Sequence, residues 1–291
     1  MPGIITVGVP GDLSTPFGIE TGIAYEIIAS DGFRASFNDD TDQDFIGYVE
    51  EITGLDGADV RDSSELIVEG DGGRHFSFYH GRRPITLSGP LNPNVFGIEA
   101  NRNITRLLRA TNAMRTDAKL RWTATGGVPV EIAVRRSASP RISGNRVKTY
   151  LVGLIAADPR VYSQATNTAS GALALDAGVA TGGPLSVTNA GSTPTSPTLT
   201  VSGPITNPVF TNVTTGQALS LTTTIAAAAS VTVDFAARTI VNQAGTSIYS
   251  TLNYTTSQWW ALASGTNSVK VTGTWTVAGG TFTVGWRDAW L

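Results

Sequence analysis

Charge all but disappears from this chain after Arg160, where only Asp176, Asp234, Asp288, Arg238, Lys270 and Arg287 remain. Residues 146–163, RVKTYLVGLIAADPRVYS, lie at the break. Val147, Tyr150, Val152, Leu154 and Ile155 read as a strand that stops at Asp158-Pro159, since proline removes a ladder donor and holds its predecessor extended. A chain of 291 residues is long enough for two domains, each with its own core. The break predicts a first domain over 1–163, a linker and first-strand region over 164–184, and a second domain over 185–291.

Both halves read as β. With 41% apolar residues and 32 glycines the chain is folded and turn-rich. In the second half Val231, Val233 and Phe235 alternate with Thr232 and Asp234, and Phe282, Val284 and Trp286 with Thr283 and Gly285. That is the period of half-buried strands, and short strands repeated at this spacing predict a β-sandwich. The preceding stretch QATNTASGALALDAGVATGG has the composition of a flexible linker. In the first half IITVGV, GIAYEIIAS and FRASF read as strands, as does GRHFSFYH with Phe76, Phe78 and His80 opposite His75, Ser77 and Tyr79. One helix is predicted, over 100–116, with Ile104, Leu107, Leu108, Thr111 and Met114 on one side and Arg102, Arg106, Arg109 and Arg115 elsewhere.

The net charge of −3 hides an asymmetry. Residues 1–100 carry five basic and seventeen acidic side chains, net −12, whereas residues 101–160 carry twelve basic and three acidic, net +9. Within the acidic section Asp40, Asp42, Asp44 and Glu51 have calcium-loop spacing, but Phe45 occupies the position that needs glycine. A solvated acidic turn leading into a strand at Phe45-Ile46 is the expected reading. His75 and His80, the only histidines, fall on opposite faces of a straight strand and do not make a metal pair. Cysteine is absent, which excludes disulfides and thiolate chemistry. No nucleophile elbow, phosphate loop, zinc-protease helix or dinucleotide fingerprint is present, and no cofactor is expected. No window reaches the roughly 20 apolar residues of a membrane span, and no basic-then-apolar leader opens the sequence, so membrane insertion is not expected.

Two functional alternatives stand beside a structural one. A glycosidase needs only two suitably spaced acids, and the first hundred residues are rich in them. Five tryptophans fall in the second half, where Trp275 and Trp286 read as core. The Trp259-Trp260 pair must turn one ring outward on a strand, which makes both candidate glycan contacts.

The order GLDGADVRDSS, GDGGRHFSFYHGRRPITLSG, a helix with LLRA, and VGLIAADPRVYS resembles the distal tail proteins of long-tailed, non-contractile (siphovirus-type) bacteriophages. SVTNAGSTPTSPTLTVSGPITNPVFTNVTTGQALSL, SVTVDFAARTIV and the final WRDAWL resemble the galectin-like sandwich attached to that hub. The resemblance implies a mainly β chain, with a β-barrel-like ring-forming domain bearing one helix ahead of a galectin-like β-sandwich. It also implies a virion structural protein of the tail tip, not an enzyme, assembled in the bacterial cytoplasm. Its expected form is a homo-hexameric ring, with the tail tube, tape-measure and tail-tip or baseplate hub proteins as neighbours. DNA would pass through without specific binding. A ring of identical subunits joins two different faces, and the −12 and +9 sections offer complementary ones. The candidate interface residues are Arg102, Arg106, Arg109, Arg135, Arg136, Asp40, Asp42 and Asp44, the acids towards the lumen or its rim. The alternative is an adhesin whose sandwich attaches to host cell-wall polysaccharide.

Overall fold

The computed structural model describes residues 23–61, 64–66, 71, 73–75, 79–112, 114, 117–124, 127–176, 178–275 and 279–291. It divides into two units, Met1–Val161 with Leu291, and Tyr162–Trp290. The expected strand IITVGV, residues Phe76 to Phe78, and Arg115 lie outside the described residues.

The first unit is built from β1 (Tyr25–Ile28), β2 (Arg34–Phe37), β3 (Phe45–Gly47), β4 (Glu51–Thr53), β5 (Arg83–Pro90), β6 (Ala118–Thr123), β7 (Pro129–Arg136), β8 (Arg141–Ser143) and β9 (Thr149–Ala156). Along β9 the side chains of Tyr150, Val152, Leu154 and Ala156 are buried while Thr149 and Leu151 face out, the alternation a pleated strand imposes. The hydrogen-bonded path runs β3-β2-β1-β6-β7-β9-β5-β4, with β8 alongside β9. Three strands separate β2 from β9 on this path, yet the rings of Phe37 and Tyr150 lie 5.4 Å apart. The sheet therefore curls onto itself around Ile27, Phe37, Ile85, Leu87, Leu120, Ile132 and Val152 as a half-barrel.

Main-chain bonds bring the two ends of the curl together. Gly47 at the end of β3 bridges Leu91 just after β5, Tyr48 donates its N–H to Pro90 O at 2.9 Å, and Asn92 donates to Ile46 O at 2.9 Å. Such an approach leaves no room for a side chain: a Cβ on Gly47 would sit 2.5 Å from Pro90 O and 2.7 Å from Leu91 Cα. Tyr150 adds a side-chain clasp, donating its buried hydroxyl to Tyr48 O at 2.9 Å. Burial raises that phenol's pKa well above its ordinary value, so it stays a donor.

Helix α1 (Ile98–Asn112) packs on β1, β2 and β3. It begins two residues earlier and ends four earlier than the spacing predicts. Leu107 and Thr111 are buried as expected, joined by Asn103 and Ala110, whereas Ile104 and Leu108 are only half-buried. The Thr111 hydroxyl bonds back to Leu107 O at 2.8 Å, which lets a polar residue sit inside.

In the second unit β10 (Asn167–Asp176), β11 (Val179–Asn189), β12 (Thr198–Ser202), β13 (Ile205–Asn212), β14 (Gln217–Ser220), β15 (Ser230–Asp234), β16 (Thr239–Asn242), β17 (Gly265–Thr274) and β18 (Thr281–Trp286) follow the path β14-β13-β17-β11-β10-β18-β12-β15-β16. Strand β10 belongs to both layers: Asn167 to Ala172 pair with β18, and Leu173 to Asp176 pair with β11. The layers face each other through Phe210 and Phe282, 6.1 Å apart, with Val201, Val231, Val233 and Val284 from one layer and Val187, Leu219, Val269 and Val271 from the other. This is the expected sandwich.

The stretch read as a flexible linker is a correction. Residues 167–176 form a paired strand, and the chain re-enters β11 at Val179. Its small residues serve the crossing between layers, since a Cβ on Gly171 would meet Leu185 Cδ2 at 3.1 Å, and one on Gly182 would meet Leu173 Cδ2 at 2.6 Å. Low side-chain volume signals close packing here, not mobility.

Candidate functional site

The acidic turn and the basic helix meet within one chain. After β2 the chain turns through residues 39–44, where Asp42 Oδ1 accepts the Asp44 N–H at 2.8 Å. Arg34, on β2, reaches Glu26 Oε1 at 3.0 Å and Asp44 Oδ2 at 3.3 Å, and also pairs with Asp42. From the helix, Arg106 pairs with Asp44 Oδ1 and donates to Gln43 O at 3.1 Å. The Asp42 side chain is only 11% exposed. Burial alone would raise its pKa, but the Asp44 amide and the Arg34 guanidinium outweigh that and hold it below the ordinary carboxylate value. Arg34 shows the mirror image: burial opposes its charge, and Asp42 and Glu26 raise its pKa overall.

Asp42 and Asp44 are therefore an ion-paired brace between sheet and helix, not the solvated turn expected from sequence. The reason is Arg106, which lies 62 residues from Asp44 in sequence and arrives on the next element over β2. Phe45 opens β3 and is buried, as the spacing predicts.

The other candidate interface residues are placed as follows. Asp40 is exposed. Arg102 pairs with Glu99 at 3.0 Å one helical turn away, and both are largely exposed. Arg109 lies 4.2 Å over the Phe33 ring. Arg135 reaches Asp117 at 2.6 Å, and Arg136 donates to the Asn112 side chain. Arg102, Arg106 and Arg109 thus tie the helix to itself or to neighbouring elements, while Arg135 and Arg136 tie β7 to residues at the helix end and just beyond. Sequence reasoning missed the basic hairpin in which Arg141 and Arg146 are exposed and Lys148 is half-buried, its Nζ donating to Gly144 O at 2.7 Å: among the described residues no ion pair involves them, nor Asp40, Glu50, Glu51, Asp56 or Asp59. The signal was there in the run RISGNRVK, which has no acid inside it.

His75 and His80 sit on separate two-stranded pieces, Gly73–His75 against Ser64–Leu66 and Tyr79–His80 against Val60–Arg61. Among the described residues no cluster of three or more His, Asp or Glu side chains has metal-binding geometry. No described helix is long and apolar enough to cross a membrane.

In the second unit the motifs quoted from both ends converge. Ser163 donates its N–H to Asp288 O at 2.9 Å and receives the Asp288 N–H on Oγ at 3.1 Å. Asp288 also accepts from Asn167 Nδ2 at 3.0 Å and from Ala190 N at 2.9 Å, and Trp286 donates its indole N–H to Thr188 O at 3.0 Å. A Cβ on Gly191 would lie 1.8 Å from Ala289 O. Ser163, the SVTNAG stretch and Trp286-Asp288 are therefore tied together in one structural clasp. Trp260, a candidate glycan contact, is buried against Phe235 at 4.4 Å, and its partner Trp259 is half-buried, edge-on to the same ring. Trp286 fills the core and Trp275 packs against it, as expected.

A curled half-barrel braced by one helix and a two-layer sandwich define a mainly β protein of two units. Residues 190–290 match the family described as the siphovirus-type tail component, C-terminal domain. The crystal structure of the Dit protein of SPP1, described as a paradigm of the hub adsorption apparatus in phages infecting Gram-positive bacteria, shares the fold at TM-score 0.68 and 15% identity, covering 92% of this chain and 99% of that one. The phage P2 baseplate in its activated conformation with Ca matches at TM-score 0.50 and 9% identity, covering 90% of this chain and 97% of that one. No curated protein sequence matches. The family match covers most of the second unit, and the likeness to the SPP1 protein over nearly the whole chain shows a shared fold. The family match supports a role as a phage tail component.

Proposed function

We propose that this chain is a distal tail protein, six copies of which close head to tail into a ring between the tail tube and the tip. In this reading the tape-measure protein and the tail-tip or baseplate hub protein are its neighbours, DNA passes through the opening without specific binding, and assembly takes place in the bacterial cytoplasm. The observation that carries the reading is the likeness to the SPP1 hub protein over nearly the whole length of both chains, joined to the family match of the second unit.

The charge distribution supports a head-to-tail contact in a revised form. Asp42, Asp44 and Arg106 are engaged within the chain, so they brace the subunit. The charges left for a neighbour are the acidic Asp40, Glu50, Glu51, Asp56 and Asp59 and the basic Arg141 and Arg146, and Arg102 and Arg135 are exposed as well. Glu50 and Arg141 line one groove with Tyr150 and Leu151, so acidic and basic groups lie side by side there; opposite charges brought together between subunits select a register, and their exposure makes the contact salt-sensitive. Mass photometry of the full chain over a salt series is the test. A closed oligomer that weakens with salt, and that Arg141→Glu with Arg146→Glu dissociates, is expected. A monomer at every concentration would refute the ring, and an oligomer indifferent to both salt and charge reversal would refute the electrostatic contact.

A further inference from the structure

An aromatic run climbs from the core of the second unit to its surface. Buried Trp260 touches Phe235, whose ring meets Trp259 edge-on at 5.3 Å. Trp259 stacks on Tyr249 at 6.4 Å with planes 12° apart, and Tyr249 meets Tyr254 at 6.1 Å. Tyr254 is 67% exposed. Residues 239–269, which carry Tyr249, Tyr254 and Trp259, contain no acidic or basic side chain at all. The exposed polar residues of the same stretch include Ser247, Ser250, Thr255, Thr256 and Gln258.

We propose that Trp259, Tyr249 and Tyr254 form a stacking platform for the neutral pyranose units of a glycan. A pyranose presents a C–H face that packs on an aromatic ring and a rim of hydroxyls that hydrogen-bond to amides and alcohols, and it requires no counter-charge. Those are the groups found here. A charged peptide would find nothing of opposite sign in this stretch. Phe235, itself backed by Trp260, holds Trp259 edge-on, so little ordering is left for the moment of binding. The platform retains one member of the tryptophan pair read from sequence and replaces the other, buried one with two tyrosines. It rests on the geometry of the second unit alone and is independent of ring formation.

The test is calorimetric and fluorescence titration of the full chain with neutral oligosaccharides built on glucose, galactose and N-acetylglucosamine. Saturable binding of at least one is expected. Tyr254→Ala should weaken it about tenfold with thermal unfolding unchanged, because the side chain is exposed, while Tyr254→Phe keeps the ring and most of the affinity. Trp259→Phe, which preserves packing on Phe235, should also weaken it. No saturable response from any saccharide overturns the proposal. So does binding that both Tyr254→Ala and Trp259→Phe leave unchanged. A Tyr254→Ala protein that loses an oligomeric contact instead of glycan binding identifies the rings as a protein interface and likewise overturns it.

Discussion

Gly47→Ala should open the first unit at its seam. The added Cβ would lie 2.5 Å from Pro90 O, 2.7 Å from Leu91 Cα and 3.2 Å from Asn92 N, all backbone atoms that no rotamer change can move aside. Relief requires parting the β3 end from residues 90–92, which strains or breaks the flanking Tyr48 N–H to Pro90 O and Asn92 N–H to Ile46 O bonds. Overpacking of this kind costs about 1–3 kcal/mol, and weakening two hydrogen bonds adds about 1 kcal/mol. The total, roughly 2–4 kcal/mol, corresponds to about a 30- to 700-fold faster opening-limited exchange of the amides at 45–50 and 86–92. Hydrogen exchange read by mass spectrometry resolves those segments. Gly57→Ala is the control, since nothing lies within 4 Å of a Cβ there. Exchange at the seam within threefold of the parent protein would refute the argument that glycine is required for closure.

Asp42→Asn should destabilise the first unit by about 1–2 kcal/mol at neutral pH, seen by chemical denaturation, because it removes the charge facing Arg34. The folded pKa of Asp42 lies below its unfolded value, so its contribution is present above the unfolded pKa and fades as pH falls through the folded one; Asp42→Asn should flatten that acid limb of a stability–pH curve. Tyr150→Phe leaves Tyr48 O without its buried hydroxyl donor and should cost about 1–2 kcal/mol; the raised phenol pKa means this support is complete below the unfolded pKa and is lost as pH climbs above it. Trp260→Ala should cost about 3–5 kcal/mol in thermal or denaturant unfolding as a fully packed ring is deleted, against a much smaller loss for Trp259→Phe.

What the sequence revealed was local and periodic. Val231, Val233 and Phe235, and Phe282, Val284 and Trp286, are all buried with their neighbours half-exposed, because a half-buried strand writes its period of two directly into the residues. The helix was legible for the same reason, although Asn103 and Ala110 entered its buried face where Ile104 and Leu108 had been expected. Three features escaped. The crossing strand β10 looked like a linker because small residues suit both a flexible segment and a tightly packed one. The closure at Gly47 and Leu91 is a contact between main chains, which leaves no mark beyond a glycine. The Asp44–Arg106 brace joins residues far apart in the chain, and charge sums over sections cannot tell a pair inside one subunit from a pair between two. That ambiguity is why the pair reads as an interface in the sequence and as an internal brace in the fold.

The central claim is a ring of identical subunits with an open centre. Electron cryo-microscopy of the purified full chain tests it most directly: the account predicts class averages of a closed six-membered ring, with residues 141–148 of each copy against the acidic 50–59 segment of the next. Isolated monomers, or a two-fold dimer in which the same patch meets itself, would contradict it.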